Sequence, residues 1–313
     1  MTELSQTWPE LPLDSWRETY ATLHRWTQIV GKTRLALAPP ENHWWQVAQY
    51  VTSRGLTTSA MPFGDLTFTV EFDFLDHALN VTTSAGAIGS VRLGPQSVAD
   101  FYEQYFALLL SLDLAVKIWP MPVEVENAIP FPEDRTHASY DPGAATRAWQ
   151  VLVQADRLLK RFRGRFIGKA SPVHFFWGSF DMAATRFSGR RAPPHRGGAP
   201  NLGDWVMQEA YSHECSSAGF WPGGGPLPEP VFYSYAYPEP KGFRSYPVEP
   251  AAARYNEALG EFVLPYEAVR AAPSPDDAVL AFLQTTYAAA ADLGGWDRGA
   301  LERSKNGRPS SAP

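Results

Sequence analysis

The sequence predicts an α+β protein built as a tandem duplication, with two halves that pack into one body. Each half reads as a helix, an antiparallel β-meander and a closing helix. Three observations predict this class. Helical periodicity and strand-like alternation follow each other twice along the chain, and a segment rich in proline and acid separates the two runs. The chain has 313 residues with 44% hydrophobic side chains, which is more than one simple core of typical size needs.

The first half begins with a helix and continues as strands. Ser15 and Glu18 fit a capping box and precede an apolar helical face, and Gly31 is the predicted end of this helix. The run 43–52 is aromatic and β-branched and predicts a strand. In 68–74 every even position is apolar and every odd position is polar, which predicts a half-buried antiparallel strand.

The remaining elements follow from the same two patterns. Helices are predicted to start at Ser97, Asp141 and Ser274, where a capping residue precedes an apolar face. Further strands are predicted at 79–83, 91–93, 173–187, 232–237 and 260–264. The predicted organisation is a first repeat over 1–118, a connector over 119–141, a second repeat over 142–302 and a polar flexible tail over 303–313.

Two paired signals indicate the duplication. Gly31-Lys32 follows the first helix, and Gly168-Lys169 follows the third. Each pair precedes a histidine with two aromatic residues, at 43–45 and at 174–176. The same order in both halves is typical of an internal repeat.

Composition restricts the class of protein. The net charge is −6 and carries no general attraction to nucleic acid or to anionic membranes. The single cysteine forms no intramolecular disulfide, which favours a reducing compartment. The N-terminus does not read as a signal peptide, and no apolar run is long enough to span a bilayer. We therefore expect a cytoplasmic protein with no nucleic-acid or membrane partner; the sequence does not indicate its oligomeric state.

Five segments carry a resemblance to a known family. They are WPELPL (8–13), HRWTQIVGK (24–32), SPVHFFWGSFD (171–181), SHECSSAGFWPGGG (212–225) and AADLGGWD (290–297). Through them nearly the whole chain resembles a bacterial family of uncharacterised proteins, a domain of unknown function of about this length. The resemblance implies a stand-alone bacterial protein and implies no particular activity.

Candidate chemistry concentrates in 209–225, which reads as a loop. His213 and Glu214 are the candidate catalytic residues, acting as base and acid on a small molecule. Two alternatives stay open, a metal held by His213, a neighbouring carboxylate and His174, and a nucleophilic Cys215. A further alternative is a tight turn whose polar groups satisfy buried backbone.

Other polar and aromatic residues are candidate ligand contacts. They are His174, Asp181, Trp221, Gly223, Gly224 and Tyr235. The seven histidines are scattered without helical ligand spacing, so no metal site is predicted, and no cofactor is identified. The sequence leaves two functions open, an enzyme acting on a small molecule and a non-catalytic protein that binds a small ligand in an aromatic-lined cavity.

Overall fold

The computed structural model describes residues 7–303. Across this range the chain forms α-helices, short 3-10 turns and two six-stranded antiparallel sheets, which confirms the α+β class. The expected polar tail from residue 304 onward and the N-terminal residues 1–6 lie outside the described range. Within that range no helix has the length and apolar character needed to cross a membrane.

The first sheet lies between two helices in the chain. Helix α1 (Arg17–Leu37) precedes it and helix α2 (Val98–Ser111) follows it. Its strands are β1 (Tyr50–Val51), β2 (Gly55–Thr57), β3 (Met61–Phe63), β4 (Leu66–Asp73), β5 (Ala78–Thr83) and β6 (Ile88–Arg92). The order is β1-β2-β4-β5-β6, and β3 also pairs with β4.

The second sheet follows helix α3 (Pro142–Arg163). Its strands are β7 (His174–Phe176), β8 (Asp181–Arg191), β9 (His213–Trp221), β10 (Val231–Tyr237), β11 (Arg254–Asn256) and β12 (Glu261–Pro265). The order is β11-β12-β10-β9-β8-β7. Four further helices complete this half, α4 (Asp204–Ala210), α5 (Tyr266–Arg270), α6 (Pro275–Leu293) and α7 (Arg298–Leu301).

Helices α3 and α6 cover one face of the second sheet. The side chain of Arg186 on β8 donates to the backbone carbonyl of Phe162 on α3, and its guanidinium lies 4.3 Å from the ring centre of Tyr287 on α6. Because strand residues alternate in direction, the odd-numbered residues of β8, β9, β10 and β12 point to the opposite face. That opposite face carries the candidate site.

Helix α1 differs from its prediction at both ends. Ser15 lies in a 3-10 turn and its hydroxyl donates to the carbonyl of Pro12, so the predicted capping box does not form. Gly31 does not end the helix, which continues to Leu37. The glycine serves a close approach instead, because a Cβ there would lie 2.2 Å from Nε1 of Trp177.

Two predicted segments also differ in structure. Residues 43–52 form a 3-10 turn and only a two-residue strand, because His43 and Trp44 adopt left-handed backbone angles that a strand excludes. Residues 209–225 are not a loop, since they comprise the end of α4, the strand β9 and the turn after it.

The paired signals for the duplication lie in unlike local structures. Gly31 and Lys32 lie inside helix α1, whereas Gly168 and Lys169 lie in a turn outside any helix. His174 begins a strand, whereas His43 lies in a 3-10 turn. Both halves do contain a sheet preceded and followed by helices, so the duplication and the domain boundaries stay predictions.

Candidate ligand-binding site

A cavity of about 600 Å³ lies against the open face of the second sheet. Strands β8, β9, β10 and β12 supply its floor. The floor residues are Asp181, Ala183, Thr185, Phe187, Cys215, Ser217, Trp221, Tyr233, Tyr235 and Glu261. Their shared odd parity and paired register show why one face presents all of them together.

Aromatic side chains form much of the wall. The 3-10 turn Asn42–Val47, the connector and helix α4 reach over the sheet and supply rings to the cavity. The tryptophans that line it are Trp44, Trp45, Trp119, Trp177, Trp205 and Trp221. Trp119 is 57% exposed and Trp205 is 62% exposed, so these two rings stand at the mouth of the cavity.

Three carboxyl groups line this aromatic cavity, on Glu124, Asp181 and Glu261. Burial, with the nearby charge of Asp181, raises the pKa of Glu261 to about 8. Part of the Glu124 side chain is open to solvent, yet the protein around it and the charge of Asp181 raise the pKa of Glu124 to about 7. Within residues 7–303 no ion pair involves any of these three carboxyl groups.

Tyr233 fixes the position of Asp181. Its hydroxyl crosses the neighbouring strand and donates to the Asp181 carboxylate, which also accepts from Ser179. Burial still raises the pKa of Asp181, and these two hydrogen bonds oppose that rise. The tyrosine ring passes directly over Gly219, where a Cβ would lie 2.6 Å from the hydroxyl oxygen. Glycine at this position therefore permits the contact.

Helix α1 holds two loop segments in place, one beside Glu124 and one just before Asp181. The Gln28 amide accepts from Val123 N at 2.9 Å and donates to Val123 O at 2.9 Å, which fixes the connector beside Glu124. His24 Nε2 lies 2.7 Å from the carbonyl of Gly178, in the turn before Asp181. Burial lowers the pKa of His24 to about 4, so the ring is neutral and Nε2–H is the donor.

A second set of polar groups centres on His43, which also lines the cavity. His43 Nδ1 donates to the carbonyl of Ala210 at 2.9 Å, and its Nε2 accepts from the Lys169 amine at 2.7 Å. Burial is the main reason why the pKa of His43 is lowered. This neutral tautomer ties the 3-10 turn, α4 and the segment before β7 together above the sheet.

Strained backbone concentrates around the cavity. The φ angles are 60° for His43, 63° for Trp44, 57° for Glu124, 59° for Phe180 and 55° for Asn201. Four of these residues line the cavity, and Phe180 precedes Asp181. Residues other than glycine rarely adopt these left-handed backbone angles. Such backbone strain persists where a site needs a particular geometry.

The sequence-predicted residues divide between cavity and surroundings. Asp181, Tyr235 and Trp221 line the cavity. Gly223 and Gly224 lie in the turn after β9, outside the cavity lining, with φ angles of 93° and 151°. His174 is fully buried beside Trp45 and Tyr50, also outside the lining, and burial lowers its pKa to about 3.

The candidate catalytic pair is split by the strand that carries it. His213 and Glu214 are adjacent on β9 and so point to opposite faces of the sheet. The Glu214 carboxylate pairs with Arg190 at 2.7 Å, and the His213 ring centre lies 5.8 Å from that of His43. Neither side chain lines the cavity.

Cys215 lines the cavity as a buried thiol. Burial raises its pKa to about 12, which keeps it protonated and makes it a weak nucleophile at neutral pH. In the described part of the chain, no group of three or more His, Cys, Asp and Glu side chains is arranged to hold a metal ion.

Sequence reasoning missed two ionisable residues of the site, Glu124 and Glu261, and it left Lys32 out of the site because the Gly31-Lys32 pair was interpreted as the end of a helix. Glu261 carried a readable signal, since it shares strand parity with the apolar Val263 on a buried strand. Lys32 also carried one, because Tyr20, His24, Gln28 and Lys32 repeat every four residues along one face of α1. Glu124 lies in an irregular connector, where no periodic signal exists.

This architecture defines a class of α+β protein in which one face of a sheet carries an aromatic cavity with unpaired acids. The chain belongs to a family of unknown function (DUF5996), whose model matches residues 8–303. The resemblance to a family of uncharacterised proteins is thereby confirmed. No curated protein and no solved structure shows a significant match to the chain.

Proposed function

We propose that this protein binds a small organic molecule that carries a positively charged amino group. The proposal rests on three carboxyl groups without ion-pair partners, Glu124, Asp181 and Glu261, which line one aromatic cavity. A cavity of about 600 Å³ matches the size of small-molecule sites in proteins.

The chemistry of the wall favours a cation over a neutral ligand. Carboxylates attract a positive charge, and indole and phenol faces attract it through their electron density. An ammonium group would lower the raised pKa values of Glu124 and Glu261 and ionise both groups. The ligand would thus provide the positive charge that these carboxyl groups lack within the described part of the protein.

A catalytic role for His213 and Glu214 has less support. The two side chains point to opposite faces of β9, and Glu214 is engaged by Arg190 and Ser188. General acid–base catalysis needs both groups within reach of one substrate. Binding in the aromatic cavity is therefore the function that the geometry supports best.

The proposal is tested by titration calorimetry at about pH 8.5, where a carboxyl of pKa about 8 is mostly ionised. The two ligands are 2-phenylethylamine and its neutral analogue 2-phenylethanol. The wild-type protein is expected to bind the amine about tenfold or more tightly, as for a charge-assisted hydrogen bond.

Glu261→Gln is expected to remove most of that preference while leaving the fold intact, since the amide matches the protonated acid in shape. Glu257→Gln is the matched control, because Glu257 is a surface residue paired with Arg244. Equal affinity of the wild-type protein for the amine and the alcohol would refute the proposed cation site.

A further inference from the structure

Lys32 is a buried amine that faces the cavity without an acceptor. It is 3% exposed and lies on α1 among the residues that line the cavity. Within residues 7–303 its amine makes no hydrogen bond or ion pair. Its close neighbours are two rings, with centres 4.8 Å away in Trp119 and 5.8 Å away in Trp177.

A second lysine, Lys169, differs from Lys32 in having an acceptor within the protein. Its amine donates to Nε2 of His43 at 2.7 Å and so has an internal acceptor. Aromatic faces stabilise an ammonium but do not replace a hydrogen-bond acceptor. The amine of Lys32 therefore remains available to an acceptor inside the cavity.

We infer that Lys32 binds a carboxylate of the ligand, so that the cavity takes an amphoteric molecule with an amino group and a carboxylate at opposite ends of an apolar body. The inference rests on the proposed function for the amino end and adds the acidic end.

The absence of an ion pair between Lys32 and the carboxyl groups of the cavity supports opposite ends. Lys32 forms no ion pair with the carboxyl groups of Glu124, Asp181 or Glu261, although all four residues line one cavity. The lining also includes aromatic rings, among them Trp177, Phe176 and Tyr233, which suit an apolar body. A ligand that bridges the two charged regions satisfies both at once.

The number of cations favours a carboxylate over a phosphate. Lys32 is the one lysine among the cavity-lining residues that the structure describes, and no arginine is among them. A phosphate carries about two negative charges and usually gathers several donors, including bidentate arginine. One ammonium matches the single charge of a carboxylate.

The test uses three compounds that share one ring, namely 2-phenylethylamine, 4-ethylbenzoate and 4-(2-aminoethyl)benzoate. Each is titrated at about pH 7 against the wild-type protein, Lys32→Met and Lys160→Met, because burial lowers the pKa of Lys32 to about 8 and its amine is charged at this pH. Methionine keeps the length and apolar stem of Lys32, and Lys160 is a matched surface control paired with Asp156 at 2.6 Å.

In the wild-type protein, 4-(2-aminoethyl)benzoate is expected to bind about tenfold or more tightly than either compound with a single charge. Lys32→Met is expected to weaken 4-ethylbenzoate and 4-(2-aminoethyl)benzoate by about tenfold, and to leave 2-phenylethylamine at least as tight. Retained binding of the amine also shows that this variant is folded. Lys160→Met is expected to match the wild-type protein.

Two failures are distinguishable. In the first, the wild-type protein binds 2-phenylethylamine but does not bind 4-ethylbenzoate, or Lys32→Met leaves the affinity for 4-ethylbenzoate unchanged. Either result would overturn the inference and leave the proposed cation site standing. Failure of the wild-type protein to prefer 2-phenylethylamine over 2-phenylethanol would overturn the proposed function and, with it, the amphoteric ligand.

Discussion

Gly31 shows how a distant contact reverses a local rule. Glycine near the end of an apolar helical face usually marks the end of the helix. Here α1 continues for six further residues, to Leu37, and the missing Cβ makes room for the indole of Trp177. That indole donates to the carbonyl of Val47 at 2.7 Å and forms part of the cavity wall.

We expect Gly31→Ala to destabilise the protein by about 1–3 kcal/mol, because the new Cβ would overlap the Trp177 ring. Helix propensity alone would give the opposite sign, a gain of about 1 kcal/mol. Gly143→Ala, near the start of α3, is the matched control, since its nearest contacts are the ends of flexible side chains at 3.3 Å. Urea unfolding of both variants measures the difference, and a stabilising Gly31→Ala would contradict the packing described.

At the scale of elements, local signals predicted the helix starts at Ser97 and Asp141. Each side chain accepts from a backbone N–H three residues later, at 3.1 Å for Ser97 and 2.8 Å for Asp141. Ser274 precedes α6 as predicted but caps no backbone N–H, and its hydroxyl donates to Asp277 instead. A cap motif in sequence therefore located the helix without fixing the hydrogen bond.

These caps give a direct comparison. Asp141→Ala should cost about 1 kcal/mol of unfolding free energy, because it leaves the backbone N–H of Ala144 without its acceptor. Ser274→Ala should cost clearly less, since its side chain accepts from no backbone N–H of the helix. Chemical denaturation measures both, and equal losses would contradict the capping geometry.

One of the predicted strands formed as expected and another did not. The alternation in 68–74 is a local property of the sequence and matched β4 (Leu66–Asp73). The aromatic run from His43 did not form a long strand, because the hydrogen bonds of His43 to Ala210 and Lys169 hold that turn over the second sheet. Those partners lie far away in the sequence, so periodicity carried no information about them.

For the whole molecule, the sequence located part of the candidate site. Asp181, Tyr235 and Trp221 were among the predicted ligand contacts and line the cavity. Lys32 and Glu124 come from a helix and a connector that only the tertiary fold brings to the sheet. Within residues 7–303 Lys32 is buried without a charge partner, and Glu124 lies near the charge of Asp181. Both environments are properties of the folded protein.

The proposed cation site depends on ionised acids in the cavity. The surrounding protein and the charge of Asp181 raise the pKa of the partly exposed Glu124 to about 7 and that of Glu261 to about 8. Both groups are largely neutral near pH 6 and ionise as the pH rises through these values. The alkylammonium of 2-phenylethylamine has a pKa of about 10 and stays charged over the same range.

The most direct measurement is therefore the affinity for 2-phenylethylamine at about pH 6 and at about pH 8.5, in the wild-type protein and in Glu261→Gln. We predict binding about tenfold or more tighter at the higher pH in the wild-type protein, and a much smaller change in the variant. Affinity that is unchanged or weaker at the higher pH in the wild-type protein would contradict the account.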